Sequence, residues 1–348
     1  MPKFLIVLNT STIRLMAFAA TIKEKTTNHK ELDMIRTISF LAILLCVAPI
    51  ASAKIWRLDN VQNADFSSIT TAHSSAASGD TVYVAGSVNN YGSVTLTKKL
   101  TIIGPGYFLA QNPQTQANLN AAAFSSITFS SGSDESVVMG VTTTGDFDIR
   151  SNGVTIRRNK ANRDIFTRTG VDNAVIAQNY IARQLNSGAT NSNILVLNNI
   201  FSNATNSSSA AITAPNTSSL EISNNTLVNS IDVSNSTITN NIVTAGTIDG
   251  AADNNSLSNN LVLDDNTDLA TVLTLANEGS PDAQWQLATN STALGAGLNG
   301  TDQGAFGGPN PYVRSGIPSI PAIYFFTAPA LGSSQSGLQV QLKAKGNN

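Results

Sequence analysis

Apolar and polar residues alternate with a period of two in six short phrases that each end in asparagine. The residue three positions before that asparagine is aliphatic in every phrase, and the residue two positions after it is always apolar. A period of two is the strand pattern, in which successive side chains point to opposite faces. The six phrases are Val154–Asn159, Ala174–Asn179, Ile194–Asn199, Leu220–Asn225, Ser236–Asn241 and Asn255–Asn260.

The phrases recur at intervals that define one structural unit. Their last asparagines are 20, 20, 26, 16 and 19 positions apart. A unit of about 20 residues therefore repeats with small insertions and deletions, which is typical of a solenoid. Because such a unit holds only two or three short strands joined by tight corners, the pattern predicts an all-β chain whose units are coils of a parallel β-helix.

The last asparagine of each phrase is predicted to occupy a corner between two strands. Asparagine tolerates the left-handed backbone conformation, and its amide can bond to nearby backbone groups. When equivalent corners stack about 4.8 Å apart, each amide can bond to the next coil and satisfy polar groups that are costly to bury. The alternative is a set of exposed loop asparagines. The predicted ladder consists of Asn159, Asn179, Asn199, Asn225, Asn241 and Asn260.

Both ends of a β-helix expose strand edges, so caps are expected. At the front, Asp65 is predicted to cap a helix that stops at Gly79 and presents Phe66, Ile69, Ala72, His73 and Ala76 on one face. The β-helix is predicted over residues 54–310 and a C-terminal tail over 311–348. In the tail, Ile323–Phe326 and Leu338–Leu342 are expected to form a hairpin that packs on the last coils or joins a partner.

The N-terminus has the pattern of a signal peptide over residues 34–53. Arg36 gives a basic start, Ile38 to Val47 form an apolar stretch, and Ala51 and Ala53 form a small-x-small cleavage pattern. The apolar stretch is too short to span a bilayer. We expect export to the cell surface or medium, with no stable membrane span after cleavage. Residues 1–33 form a pre-signal extension, and Met34 offers an alternative translation start.

Composition agrees with an exported solenoid. Residues are 41% hydrophobic and 12% charged, which is low in charge yet too apolar for disorder. The single cysteine, Cys46, lies in the signal, so no disulfide, metal site or cofactor is expected in the mature chain. After residue 53 the chain carries 20 − 6 = 14 basic and 22 − 3 = 19 acidic residues. This mild negative charge makes nucleic acid an unsuitable partner.

Two segments resemble a known superfamily. The run Ser78–Val84, followed by Leu96–Gly104, resembles the opening coils of bacterial right-handed parallel β-helix proteins of the pectin-lyase-like superfamily. Trp285–Leu287 and Ser291–Phe306 resemble the terminal coil that closes many of them. The resemblance covers residues 56 to 310 and implies a right-handed solenoid with an N-terminal capping helix. It specifies no function, since this scaffold carries lyases, hydrolases and adhesins.

Charged residues concentrate between Asp146 and Arg183. Arg163 and Arg183 both follow their ladder asparagine by four positions, and Lys160 falls beside Tyr180. Basic side chains in register suit the carboxylate or sulfate of an acidic sugar, and a tyrosine can stack on a sugar face. We therefore expect Lys160, Arg163, Tyr180 and Arg183 to bind a polysaccharide or cell-surface glycan, with a solvated surface of scattered charges as the alternative.

In polysaccharide lyases of this superfamily, an Arg or Lys removes the proton next to a uronate carboxylate that Ca²⁺ neutralises. The resemblance makes Lys160, Arg163, Arg183 and Asp164 the candidate catalytic residues. Asp146, Asp148, Asp164 and Asp172 are not expected to fall in one column, so no metal site is predicted. The expected function is therefore non-catalytic glycan binding or a structural role. The alternative is a polysaccharide lyase that acts on uronate-containing glycans with Ca²⁺.

Overall fold

The computed structural model describes residues 53–112, 114–202, 209–249, 253–264, 266–274, 279–332 and 337–346. The pre-signal extension and all of the predicted signal peptide except Ala53 lie outside these residues. The described chain winds into coils, and most coils contribute one strand to each of three parallel sheets. Within one coil the chain passes first through sheet 1, then through sheet 2 and finally through sheet 3. The ladder asparagines lie at the corner between sheet 1 and sheet 2.

Within the described ranges the three sheets contain ten, eight and seven strands. Sheet 1 consists of Ile55–Leu58, Thr81–Val84, Thr101–Ile103, Val137–Met139, Thr155–Arg157, Val175–Ala177, Ile194–Leu197, Leu220–Ser223, Thr237–Thr239 and Ser256–Ser258. Sheet 2 consists of Ala122–Phe124, Val141–Thr143, Lys160–Ala161, Tyr180–Ile181, Ile200–Phe201, Thr226–Leu227, Ile242–Val243 and Leu261–Val262. Sheet 3 consists of Ser93–Leu96, Ser126–Phe129, Phe147–Ile149, Ile165–Thr167, Leu185–Ser187, Ile212–Thr213 and Ile231–Asp232.

Equivalent residues of successive coils pair in register. Ile156 pairs with Ile176, which pairs with Val196, and all three side chains are fully buried. The inward side chains of the three sheets form one continuous apolar core. Because burying a large apolar side chain contributes about 1.5–3 kcal/mol, these stacked columns are the main source of stability. The predicted stack of parallel strands is confirmed.

The corner between sheet 1 and sheet 2 differs in one detail from the expectation. The left-handed residue is the one before each ladder asparagine, and not the ladder asparagine itself. Four of these residues are asparagine, the type that tolerates this conformation best, and two are Arg158 and Gln178. The left-handed column consists of Arg158, Gln178, Asn198, Asn224, Asn240 and Asn259, with φ between 49° and 59°.

A short helix, Ile69–Ser75, precedes the second strand of sheet 1. It begins later than predicted, because the Ser68 hydroxyl accepts the cap hydrogen bond from the Thr70 N–H at 3.3 Å. Asp65 instead accepts a hydrogen bond from the Arg57 N–H at 2.7 Å. Ile69 and Ala72 of this helix are buried and belong to the same apolar core as the inward side chains of the sheets.

The other end of the solenoid leaves inward-facing residues uncovered. Leu257 and Val262 belong to the last described strands of sheet 1 and sheet 2 and pair in register with Ile238 and Val243. The earlier pair is fully buried, whereas Leu257 is 43% and Val262 45% exposed. We call the surface formed by Leu257 and Val262 the open end.

Acidic side chains lie near the open end. Asp249 interacts with Asp232 and Asp253, and burial, followed by the hydrogen bond and charge of Asp232, raises the pKa of Asp249 to about 6. Since the folded-state pKa exceeds the unfolded value of about 3.9, the folded chain holds this proton more tightly. Its contribution to stability is therefore lost as pH rises through about 4 to 6.

We expect Asp232→Asn to lower the pKa of Asp249 towards its ordinary value, because the change removes the charge that competes with ionisation of Asp249. A carboxyl carbon NMR titration measures this pKa directly. Asp172→Asn, which removes a partly exposed acid near Ser192 and several coils away, is the matched control. A pKa of Asp249 that stays the same in both variants would rule out the coupling to Asp232.

After Val262 the chain leaves the coil pattern. Residues 279–320 contain turns and the short 3-10 helices Ala283–Trp285, Leu298–Gly300 and Arg314–Gly316. The terminal coil that the resemblance implied around Trp285 is not formed, since the described part of sheets 1 to 3 ends at Val262. These residues instead pack against the outward side of sheet 2, where Ala305 and Tyr312 contact the cluster of Tyr180 and Ile200.

The C-terminal tail forms a two-stranded antiparallel sheet from Ala322–Thr327 and Gln341–Lys345. The second strand begins three residues later than the sequence pattern indicated. The tail is joined to the solenoid by a hydrogen bond from the Ala117 N–H to the Ile323 carbonyl oxygen at 2.8 Å. Its base therefore lies beside the loop that contains Ala117, and not on the last coils.

Candidate functional site

The four residues expected to bind a glycan occupy two different surfaces. Lys160 and Tyr180 pair in register on the outward side of sheet 2. Arg163 and Arg183 lie in the following corner, between sheet 2 and sheet 3. The four side chains come from two neighbouring coils, as the repeat predicted, but they do not form one open patch.

The sheet 2 surface is covered by other parts of the chain. Tyr180 is 6% exposed, and its ring packs edge-on against Phe108 at a centroid distance of 5.2 Å. The Lys160 ammonium lies 4.9 Å from the centre of the same Phe108 ring, and burial lowers the pKa of Lys160. Tyr180 therefore offers no ring face to a sugar. An outward strand position is exposed only if nothing packs on it. Here the loop that contains Phe108 and the residues around Ala305 and Tyr312 pack on the outward side of sheet 2.

The two arginines alternate with acidic side chains along the corner. Arg163 Nε lies 3.6 Å from Asp146 Oδ1, and Arg183 Nη1 lies 3.4 Å from Asp164 Oδ2. The Asp164 N–H donates to Asp146 Oδ1 at 3.1 Å. Asp146 and Asp164 therefore stand in one column, because Phe147 and Ile165 beside them pair in register. Asp148 and Asp172 lie in other columns, so the four acids do not share one, as predicted.

Burial raises the pKa of Asp164, and this effect outweighs the nearby charge of Arg183. In the described part of the chain, Asp164 Oδ1 and the side-chain oxygen of Gln184 are buried without a hydrogen-bond partner. The part of the corner around Asp164 and Arg183 is consequently less solvated than the part around Asp146 and Arg163. Arg163, whose side chain is 55% exposed, is the more accessible of the two arginines.

Sheet 3 adds a surface that the sequence did not single out. Phe166 faces outward beside Asp148, with which it pairs in register, and is partly exposed. Arg150 and Arg168 both bind Asp148, each at 2.6 Å, and the Arg168 guanidinium lies 4.4 Å from the Phe166 ring centre. Burial alone raises the pKa of Asp148, but the hydrogen bonds from Arg168 and Arg150 outweigh it and lower the pKa. The available signal was the outward aromatic residue between inward Ile165 and Thr167.

The ladder asparagines are joined by hydrogen bonds from coil to coil. Asn179 donates from its backbone N–H at 2.9 Å and from its side chain at 3.0 Å to the side-chain oxygen of Asn199. Its side chain also donates to the Ile156 carbonyl oxygen at 2.9 Å. The backbone and side-chain bonds recur between the pairs Asn159 and Asn179, Asn199 and Asn225, Asn225 and Asn241, and Asn241 and Asn260.

The left-handed residues have a separate role that the sequence did not reveal. Their side chains bind residues 296–319, which we call the return segment, one coil after another. Asn198 donates to the carbonyl oxygens of Ala305 and Gly307 at 3.0 and 2.8 Å. The other contacts join Asn259 to Ala296, Asn240 to Leu298, Asn224 to Asp302, Gln178 to Asn310 and Arg158 to Ile317.

The two residues of each Asn-Asn doublet therefore have different structural roles. The first asparagine takes the left-handed conformation and holds the return segment, and the second points inward and forms the ladder. The doublets in the sequence were the signal for this division. The return segment runs antiparallel to the order of the coils, because its residue numbers rise as those of the coils fall.

A buried polar junction fastens the return segment to the loop that contains Tyr107. Asp282 Oδ2 accepts from the Ser315 N–H at 2.6 Å and from the Tyr312 hydroxyl at 3.2 Å, and its other oxygen contacts the Ser280 hydroxyl. The hydroxyls of Tyr312 and Tyr107 are 2.6 Å apart. Burial is the main cause that raises the pKa of both tyrosines. The junction is closed to solvent and acts as an anchor.

The acids beside the arginines do not fit a Ca²⁺ site. Asp146, Asp148 and Asp164 are each paired with arginine, whereas Ca²⁺ takes six to eight oxygens. In the ranges that the structure describes, no three His, Cys, Asp or Glu side chains form a group that could hold a metal ion. Nor does any helix there have the length and apolar character needed to cross a membrane.

Comparisons with known proteins found no matching family model, no matching curated protein and no matching solved structure.

Proposed function

We propose that this protein is an exported, non-catalytic glycan-binding protein of the cell surface or medium, built on a right-handed parallel β-helix of the pectin-lyase-like kind. The sequence pattern of residues 34–53 supports export. The opening run Ser78–Val84 supports the superfamily, and the burial of Ile69 and Ala72 supports a capping role for the helix Ile69–Ser75. The function itself rests on one surface.

The observation that carries the glycan proposal is an outward aromatic ring bordered by arginines. Phe166 lies beneath the guanidinium of Arg168, and Arg163 and Arg183 lie in the adjoining corner. We call these four residues the arginine surface; it replaces Lys160 and Tyr180 as the proposed site. An apolar ring can pack on the C–H face of a sugar, while arginine recognises carboxylate or sulfate through paired hydrogen bonds.

The ion pairs of the arginines leave room for a ligand. A guanidinium has five N–H donors, and the contact between Arg163 Nε and Asp146 Oδ1, at 3.6 Å, is longer than a hydrogen bond. Arg163 and Arg183 belong to adjacent coils, so their backbones are about 4.8 Å apart. Two positive groups at this spacing can bind neighbouring negative groups of one polymer. An anionic polysaccharide is therefore the proposed ligand class.

The same geometry argues against catalysis by the arginines. Proton abstraction requires an acceptor atom within hydrogen-bond reach, and the guanidinium of arginine has five N–H donors and no acceptor. Lys160 is the exception that favours a lyase as the second candidate, because burial lowers the pKa of Lys160. Against that role, its ammonium lies over Phe108 on the covered side of sheet 2.

We expect the double variant Arg163→Ala, Arg183→Ala to bind uronate or sulfated polysaccharides at least tenfold more weakly than the unchanged protein. Each hydrogen bond to a charged group contributes about 1.5–3 kcal/mol, and about 1.4 kcal/mol corresponds to a tenfold change. A glycan array followed by calorimetry measures the loss. Phe166→Ala should weaken binding without changing its dependence on salt.

Lys99→Ala is the matched control, since Lys99 is exposed and paired with Glu135 outside the arginine surface. Unchanged binding by the double arginine variant would exclude this surface, and an unchanged protein that binds no glycan would exclude the function. Incubation with uronate polysaccharides, with and without Ca²⁺, tests the second candidate. Ultraviolet absorbance from unsaturated products that disappears in Lys160→Ala would establish a lyase.

A further inference from the structure

The tail hairpin, formed by Ala322–Thr327 and residues 337–345, has one apolar face that no other described part of the chain covers. Phe326 pairs with Leu342 and Ile323 with Ala344, so these side chains share a face. Leu338 and Val340 continue the same alternation. Five large side chains are about half exposed: Ile323 45%, Phe326 55%, Leu338 52%, Val340 49% and Leu342 52%. Because an isolated two-stranded hairpin is marginally stable in water, this face calls for a partner surface.

The open end is a second uncovered apolar surface. Leu257 and Val262 occupy core positions, yet each is nearly half exposed, and their strands are the last in sheet 1 and sheet 2 among the described residues. A strand at the end of a sheet presents backbone groups that can pair with another chain. The open end therefore exposes side chains that the next coil would bury if the stack of coils continued.

The tail hairpin lies far from the open end of its own solenoid. The return segment contacts Asn259 near the open end and Arg158 near the hairpin. These two residues are five coils apart in the left-handed column, which corresponds to about 24 Å at about 4.8 Å per coil. Both apolar surfaces are exposed in the same molecule, so neither covers the other within one chain.

The charges of the two regions are complementary. From Gln184 to Asp302 the sequence has ten acidic residues and no lysine or arginine. From Gln303 to Asn348 it has three basic residues, Arg314, Lys343 and Lys345, and no acidic one. Asp249 and Asp253 lie in the acidic region near the open end, and both lysines belong to the second strand of the hairpin. Such complementarity speeds encounter and favours the correct partner.

We propose that the tail hairpin of one copy of this chain packs its apolar face over the open end of a second copy. The contact joins two different surfaces, so two copies can exchange hairpins in a closed dimer or continue as a linear assembly. The acidic coils of one copy attract the basic tail of the other, and the apolar side chains hold the contact once it forms. The hairpin thus caps a solenoid in trans.

Sedimentation velocity of the purified protein over a range of concentrations tests the proposal. We expect a species with the mass of two or more chains, and its population should fall as the salt concentration rises. A hairpin variant, Phe326→Ser with Leu342→Ser, should raise the dissociation constant about 100-fold, since central apolar contacts typically cost more than about 1.4 kcal/mol each. Val88→Ser, which removes another apolar side chain that is 78% exposed, should leave association unchanged.

A mixing experiment identifies the two surfaces. An end variant, Leu257→Asn with Val262→Asn, should not self-associate, and Asp249→Lys with Asp253→Lys gives a second end variant that leaves the apolar positions intact. An equimolar mixture of hairpin variant and either end variant should form a one-to-one complex, because one intact hairpin meets one intact open end. Fluorescent labelling of one component makes this complex visible.

Three outcomes would overturn the proposal. They are a wild-type protein that stays monomeric at every concentration, an end variant that self-associates as well as wild type, and a mixture that forms no complex. The second result would assign the contact to two hairpins. Capture of a monomeric wild-type protein by anionic lipid vesicles would assign the hairpin to a membrane surface.

Discussion

Asn199→Ala is expected to lower the free energy of unfolding by about 4 kcal/mol, because each buried polar group left unpaired costs about 1–3 kcal/mol. Asn199 is fully buried in the middle of the ladder. Its oxygen accepts from the backbone and side chain of Asn179, and its side-chain nitrogen donates to Asn225 and to the Ile176 carbonyl oxygen. Alanine leaves the Asn179 N–H and the Ile176 carbonyl oxygen without these partners in a fully buried site.

Asn260→Ala is the matched control. Asn260 ends the described ladder and is partly exposed, and its side chain donates to the Ile238 carbonyl oxygen. Solvent can take over part of its role, so we expect a loss of about 1 kcal/mol. Urea denaturation followed by circular dichroism compares the two variants. Equal losses at Asn199 and Asn260 would mean that the interior ladder has no special contribution.

The strands of sheet 1 were predictable because their core positions repeat in phase with the asparagines. Ile156, Ile176 and Val196 are aliphatic in the sequence and fully buried in the structure. A strand period of two depends only on neighbouring residues, so a single sequence reveals it. The tight corner after each strand was equally visible. Which asparagine of a doublet takes the left-handed conformation was not, since either residue tolerates it.

The cover on sheet 2 could not be predicted in the same way. The return segment has no apolar period, and its position depends on hydrogen bonds between residues that are 37 to 159 positions apart in the sequence. The outward position of sheet 2 nevertheless held a signal, because Tyr180, Ile200 and Ile242 are too apolar for a solvated face. Alternation alone predicts an outward and therefore accessible Tyr180, but the return segment and the loop that contains Phe108 cover it.

The open end and the arginine surface both show that sequence alternation does not determine how exposed a side chain is. Leu257 has the sequence pattern of a core residue, but among the described residues no further strand pairs with its own. The pattern alone therefore predicts burial, whereas the structure has 43% exposure. Phe166 has the pattern of an outward residue and is partly exposed. Local alternation therefore gives the direction of a side chain, whereas its environment depends on what the distant parts of the chain cover.

Asp282→Asn is expected to release the return segment while the coils stay folded. The carboxylate is fully buried and accepts hydrogen bonds from the Ser315 N–H and from the hydroxyls of Tyr312 and Ser280. Asparagine has the same shape, but its NH2 group replaces one of the two carboxylate oxygens. This group donates hydrogen bonds and would face the donors that now bind Asp282. We expect a local loss of about 3 kcal/mol, since an unpaired buried group costs about 1–3 kcal/mol and charged acceptors are the strongest.

Limited proteolysis within residues 296–319 and the fluorescence of Trp285, which packs beside Tyr180, report the release. Tyr312→Phe is the control, because it removes one hydroxyl and keeps the ring, with an expected cost of about 1 kcal/mol. Circular dichroism of the strands should stay unchanged in both variants, since the ladder of Asn159 to Asn260 does not include Asp282. If Asp282→Asn unfolds the strands together with the return segment, the segment is part of the folding unit of the coils and not a separate cover.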